Sequence, residues 1–257
     1  MAKEVDYHTE TINGHTFRMR YLPGGIFSMG DSQNRSFGGE STPAHKVELS
    51  PYYIGEYLVT QGLWKAVMGK DHNPSRFIGD KRPVENASWI DIVLGNHKGN
   101  RTPSFIDKIN ELTKKNRPKD FIYSLPTEAQ WEYAARAKSR CFYGESDELK
   151  GRGWYDQNSH NETKDVGLLE ANYFGLFDMC GNLWEWCLDR GSDEFYKNCA
   201  NQGVVIDPVN LKKGKNRIVR GGSWFEPTNQ CSVSVRRSWF ISDRLDFIGF
   251  RLALNPI

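Results

Sequence analysis

The sequence predicts an α+β fold, loop-rich, with short strands and about two main helices. Three observations carry this. Phe17, Met19 and Tyr21 alternate as on a strand with one buried face. Two later segments, one over Phe105, Ile106, Ile109 and Leu112 and one over Leu125–Arg136, space their apolar residues as a helix does. Twenty-four glycines, eleven prolines and a mean hydropathy of −0.64 leave room for much loop and little long helix.

Taken in order, residues 14–58 read as β-rich. After the first alternation, Pro23-Gly24-Gly25 supplies a turn and Ile26–Gly30 continues as strand. Asp31–Thr42 is Gly-, Ser- and Asn-rich, hence loop. Val47, Leu49, Tyr52, Tyr53 and Ile54 suggest a further strand. Thr60 can cap a short helix whose Leu63, Trp64, Val67 and Met68 share one face. A long loop containing Asn73-Pro74 and Pro83 follows, then a helix after Pro103. Leu125–Arg136 is the clearest helix: Thr127 and Gln130 form a capping box, and Trp131, Ala134 and Ala135 form the buried stripe. Beyond about residue 140 the pattern predicts loops and short strands to the end. No internal repeat, low-complexity tract or linker interrupts the chain, so a single domain is expected over 1–257.

A net charge of +2 gives no electrostatic case for nucleic acid or an acidic membrane. The basic cluster Lys212, Lys213, Lys215, Arg217 and Arg220 reads as a solvated loop. Cys141, Cys180, Cys187, Cys199 and Cys231 are odd in number and lack zinc-type spacing, so they read as small buried thiols. No apolar run is long enough to span a bilayer, and Met1–Asp6 has no hydrophobic signal core.

The last forty residues hold a mismatch. Arg220-Gly221-Gly222-Ser223-Trp224 and Ile248-Gly249-Phe250-Arg251-Leu252 read as tightly specified structure. The interval between them mixes large apolar, charged and small residues with no helical or strand period. A rigid frame around an arbitrary filling is the pattern of a recognition surface. Gly221 and Gly222 are expected to supply unusual backbone angles, and Gly249 a close chain approach. Trp224, Phe250 and Leu252 are expected to anchor the frame, with Arg220, Arg236, Arg244 and Arg251 hydrogen-bonding loop carbonyls. On that frame Phe225, Trp239, Phe240 and Phe247 offer large area at low entropy cost, and Arg237 a planar donor.

Several of these words stand in the order of one family. Leu125–Arg136, Gly175-Leu176-Phe177-Asp178-Met179-Cys180-Gly181-Asn182-Leu183-Trp184-Glu185-Trp186-Cys187, Arg220–Trp224 and Gly249-Phe250-Arg251 together resemble the formylglycine-generating-enzyme (sulfatase-modifying factor) domain. Phe27-Ser28-Met29-Gly30, Pro43 with His45 and Val47, Val59-Thr60, and Pro83-Val84 with Trp89 extend the resemblance over roughly residues 15–254. It implies a C-type-lectin-like fold.

The resemblance opens three branches. Formylglycine-generating enzymes hold copper between two cysteines, the first soon after the Gly-Gly-Ser-aromatic word and the second five residues on. The positions here are Glu226 and Cys231, and a carboxylate is a poor ligand for Cu(I), so this activity is not expected. Related iron enzymes need a histidine set at helical spacing. His8, His15, His45, His72, His97 and His160 offer none.

The third branch is the variable proteins of diversity-generating retroelements, which vary between a Gly-Gly-Ser-Trp and an Ile-Gly-Phe-Arg word. On that layout the variable region spans about 220–252. Its ligand-binding positions are Phe225, Glu226, Pro227, Asn229, Val235, Arg237, Ser238, Trp239, Phe240, Leu245, Asp246 and Phe247. This branch implies a non-enzymatic display protein binding a protein or cell-surface ligand, and a place at the cell surface. The alternatives are a divergent oxidase using Cys231, or a structural module of a bacterial surface complex. A cytoplasmic place is the alternative localisation.

The family resemblance also implies a calcium site at Asn182 and Glu185. The plainer reading there is a strand with Trp184 and Trp186 on one face and Glu185 in a buried hydrogen-bond network. No other cofactor is implied. Glu128 and Glu132, one turn apart, are explained by the helix that carries them.

Overall fold

A computed structural model describes residues 6–31, 41–95, 102–137 and 149–257. Cys141, His97 and most of the segments Met1–Asp6 and Asp31–Thr42 lie outside the described residues.

Among the described residues twelve strands form three sheets. The first runs β1 (Tyr7–Ile12), β2 (His15–Leu22), β5 (Tyr52–Gly55), β12 (Ala253–Pro256), β6 (Phe121–Ser124), all antiparallel. The second runs β10 (Arg236–Phe240), β9 (Asn216–Arg220), β7 (Trp184–Trp186), β11 (Ile248–Gly249), the last pair parallel. The third runs β3 (Gly25–Met29), β4 (His45–Leu49), β8 (Val204–Ile206). Among the described residues the α-helices are α1 (Gln61–Met68), α2 (Phe105–Thr113), α3 (Glu128–Arg136) and α4 (Asp193–Ala200).

The local signals form as read. Thr60 caps α1 by accepting from the Leu63 amide at 3.2 Å. Thr127 and Gln130 close a capping box at α3, and Trp131, Ala134 and Ala135 are buried. Other expectations are corrected. Val47–Ile54 is two strands in different sheets, because Ser50-Pro51 turns the chain between them. Leu112 is exposed, since α2 turns its Phe105–Ile109 stripe inward. The stretch beyond residue 140 contains α4, capped by Ser192 with Asp193 and Glu194 in its first turn. Of the basic cluster only the lysines are solvated. Arg217 and Arg220 lie buried in β9, with Arg217 4.4 Å from the centre of the Trp89 ring.

Helix α3 is buried over Glu128–Ala135 and organises the second sheet. Arg236 pairs with both oxygens of Glu128 at 2.7 Å, and Arg220 pairs with Glu132. Burial opposes charge on Glu132, but Arg136 and Arg220 overcome it and hold its carboxyl below the ordinary range. The framework arginines were expected to serve carbonyls. They do so in part, Arg251 donating to Gly55 O at 3.1 Å and Phe177 O at 3.0 Å, but their main partners are carboxylates. Among the described residues no helix is long and apolar enough to cross a membrane.

Candidate ligand-binding face

The face is built outward from the frame. Gly221 and Gly222 adopt φ of +100° and +76°. A Cβ at Gly222 would meet the Cys231 sulfur at 2.6 Å, and one at Gly249 would meet the Val84 carbonyl at 2.6 Å. This close packing sets Trp224 into the cluster of Leu58 and Leu183, and Phe250 into the core beside Trp64 and Phe105.

A chain of rings follows. Trp224 meets Phe225 at 5.3 Å, Phe225 meets Phe247 at 4.8 Å, and Phe247 meets Trp239 at 5.8 Å. Trp239 also leans on the buried Trp184 at 6.0 Å. Such pairs add about 0.5–1.5 kcal/mol each beyond area. Phe225 is 39% exposed, while Trp239 and Phe247 are half-buried. Trp239 is thus a seated ring with one side outward.

Polar groups border the rings. Glu226 accepts from the Trp184 indole at 3.2 Å, and burial raises its carboxyl pKa. Arg237 donates to Gln230 at 2.8 Å. Asp246 pairs with Arg76 at 2.5 Å, and the Leu245 carbonyl accepts from the Asn86 amide at 3.0 Å. Phe225, Glu226, Arg237, Trp239, Leu245, Asp246 and Phe247 are therefore brought together.

Five expected positions stand elsewhere. Val235 is buried in the same core cluster as Phe250, so it belongs to the frame. Strand alternation puts Ser238 and Phe240 on the opposite face of β10 from Arg237 and Trp239. There Ser238 accepts from Asn216 at 3.3 Å, and Phe240 is 60% exposed. Pro227 and Asn229 sit on the short 3-10 turn Thr228–Gln230 and its cap. Arg244 is on the exposed rim, held by Asp91 at 2.6 Å.

Sequence reasoning missed the loop at Arg76 and Phe77. Phe77 packs on Trp224 at 5.5 Å and Arg76 lies 5.0 Å from the Phe77 ring. The only local signal was the turn word Asn73-Pro74.

The calcium expectation does not fit the residues present. Both Glu185 oxygens are held by Arg251, at 2.6 and 2.7 Å, and Oε2 also accepts from Trp131 at 2.9 Å. The Asn182 amide is bonded both ways with the Lys164 backbone, each at 3.1 Å. A guanidinium already occupies the carboxylate that the ion would need. The plainer reading of a buried Glu185 network is the one found.

Cys231 lies beneath the frame. Burial, then the neighbouring Cys180 and Glu226, push its thiol well above the ordinary range. Cys180, Cys187, Cys199 and Cys231 are all buried.

Three sheets, buried arginine–carboxylate pairs and a loop-borne C-terminal face define an α+β, C-type-lectin-like protein of the sulfatase-modifying type. The model of the sulfatase-modifying factor enzyme 1-like domain matches residues 7–256, and the chain belongs to that family. It is 34% identical to the chaperone protein LppX of Paenibacillus barcinonensis, over 73% of this chain and 74% of that one. It is 30% identical to a formylglycine-generating enzyme of Streptomyces coelicolor, over 90% of this chain and 87% of that one. Among solved structures it is similar to Treponema denticola variable protein 1, with a TM-score of 0.79 and 30% identity over 97% of this chain and 99% of that one.

Proposed function

We propose that this chain is a non-enzymatic display protein of one domain. Its ligand surface is the face of Phe225, Glu226, Arg237, Trp239, Leu245, Asp246 and Phe247, and its variable region spans about 220–252. The observation that carries the reading is the partly exposed chain of rings Phe225–Phe247–Trp239, seated on a frame whose charges are paired internally. A frame held by its own internal pairs lets the filling change with limited loss of the fold, which a surface that changes its side chains requires. The similarity to the Treponema variable protein supports it. The ligand is a protein or cell-surface group, and the place of action is the cell surface.

The test is genetic. A near-copy of the gene's 3′ end, with adenines at the codons of these positions and a reverse transcriptase gene beside it, is the expected finding. An invariant 3′ end across isolates with no such copy would overturn the reading.

A second reading, an oxidase of formylglycine-generating type, is favoured by the identity to the Streptomyces enzyme. It would work through Cys231, with Glu226 five residues before it. A Cu(I) titration of the reduced protein against Cys231→Ala separates the two. Tight, Cys231-dependent binding supports the oxidase, and equal binding by both proteins removes it.

A further inference from the structure

The loop from Ser75 to Gly79 is unusually fixed for an exposed segment. Two fully buried side chains hold it from beneath. Glu85 Oε1 accepts from the Arg76 amide at 2.6 Å and the Phe77 amide at 2.9 Å. Gln61 donates to the Phe77 carbonyl at 2.7 Å and accepts from the Gly79 amide at 3.1 Å. Gln61 also accepts from Asn73 at 2.9 Å, which ties the start of the loop.

What the loop presents is out of keeping with a merely structural turn. Ile78 is 71% exposed and Arg76 64% exposed. Between them Phe77 turns inward onto Trp224 and joins the ring chain of the face. Arg76 reaches across to Asp246, itself a position of the proposed variable set. An exposed apolar tip and an exposed guanidinium on a preorganised backbone are the parts of a binding arm, because their ordering cost is already met. The guanidinium adds planar donors for a carboxylate, and Arg is among the residues that carry most interface energy.

We infer that Arg76 and Ile78 form a constant contact arm of the ligand surface, docking an acidic group and an apolar side chain of a protein ligand beside the changeable face. The inference rests on the display reading above. Asp246 then acts as an internal stand-in for the ligand's carboxylate. Chains without a carboxylate at 246 release Arg76 entirely to the ligand.

The experiment uses the full chain as a library, varied at Phe225, Glu226, Arg237, Trp239, Leu245, Asp246 and Phe247 and selected against ubiquitin as a fixed protein probe. Selected clones are rebuilt with Arg76→Ala and with Ile78→Ser, both exposed changes whose unchanged melting temperature shows that the fold persists. The expected result is that most clones lose about tenfold or more in affinity for ubiquitin with either change. Clones that bind within twofold of their parents would overturn the arm and leave the display reading standing. A folded library that yields no binder overturns both.

Discussion

The Trp224 indole N–H donates to the Asp246 carbonyl across 3.0 Å. A side chain of the Gly-Gly-Ser-Trp word thus fixes the backbone of the Leu245–Phe247 stretch, while the Asp246 side chain points out to Arg76. The bond falls on a main-chain oxygen, which every residue type supplies. Side-chain identity at 246 can change without losing it.

From this follows a contrast in tolerance. Phe240→Ser should shift stability by less than about 1 kcal/mol, because its ring is mostly exposed, and Phe225→Ser, which breaks ring pairs with Trp224 and Phe247, by about 1–2 kcal/mol. Trp224→Ala should cost about 3–5 kcal/mol, since it empties a buried site and releases Asp246. Urea denaturation of the three proteins decides it, and equal losses would mean that frame and filling are not separate.

The Glu185–Arg251 pair is completely buried. Removing one partner strands the other charge, so Arg251→Met should destabilise by about 3–5 kcal/mol. The double change Glu185→Gln with Arg251→Met should recover part of that loss. A double mutant no better than the single would show that the carbonyls of Gly55 and Phe177, and not the carboxylate, are the partners that matter.

Glu85 gives a pH dependence. Burial raises its carboxyl to about 7 from an ordinary 4.5, Asp246 adding to the rise while the Phe77 and Arg76 amides and the Arg76 charge oppose it. Its folded pKa lies above its unfolded one, so the protonated form favours the fold. That contribution is whole below pH 4.5 and is lost as pH climbs toward 7. Glu85→Gln should therefore gain on the parent across this window, by roughly 1–3 kcal/mol at pH 8 relative to pH 4. Denaturation curves at both values test it; a parallel pair of pH profiles would place the Glu85 pKa in the ordinary range.

Gly222→Ala combines a left-handed backbone with a Cβ 2.6 Å from the Cys231 sulfur. The expected cost is about 1–3 kcal/mol. Pairing it with Cys231→Ala should return the steric part and leave the backbone part. If the second change returns nothing, the cost lies in φ alone.

Much of this was legible in the chain. Thr60 and Thr127 announced their helices, because a cap and its partner lie within one turn. The Gly-Gly-Ser-Trp and Ile-Gly-Phe-Arg words marked the frame. What stayed hidden is non-local. The carboxylates that receive Arg220, Arg236 and Arg251 lie 88, 108 and 66 residues away in sequence. Val235 looked like filling because nothing local says that a residue just before an edge strand turns inward. The sequence alone does not part Ser238 and Phe240 from Trp239, because the β10 alternation appears only once its pairing with β9 is known. The loop at Arg76 joins the face from across the fold, held by Glu85 and Gln61, whose roles no local spacing reveals.

Strand β12 follows the changeable interval in the chain. β12 lies inside the first sheet, between β5 and β6, pairing Leu254 with both Tyr53 and Tyr123. It is translated after every position proposed to change. A stop codon or slipped frame in that interval removes an interior strand of the sheet and leaves β5 and β6 without their shared partner. Folding thereby reads the grammar of the rewritten stretch: a new surface is presented only if the message stays in frame through the codons of Ala253–Pro256.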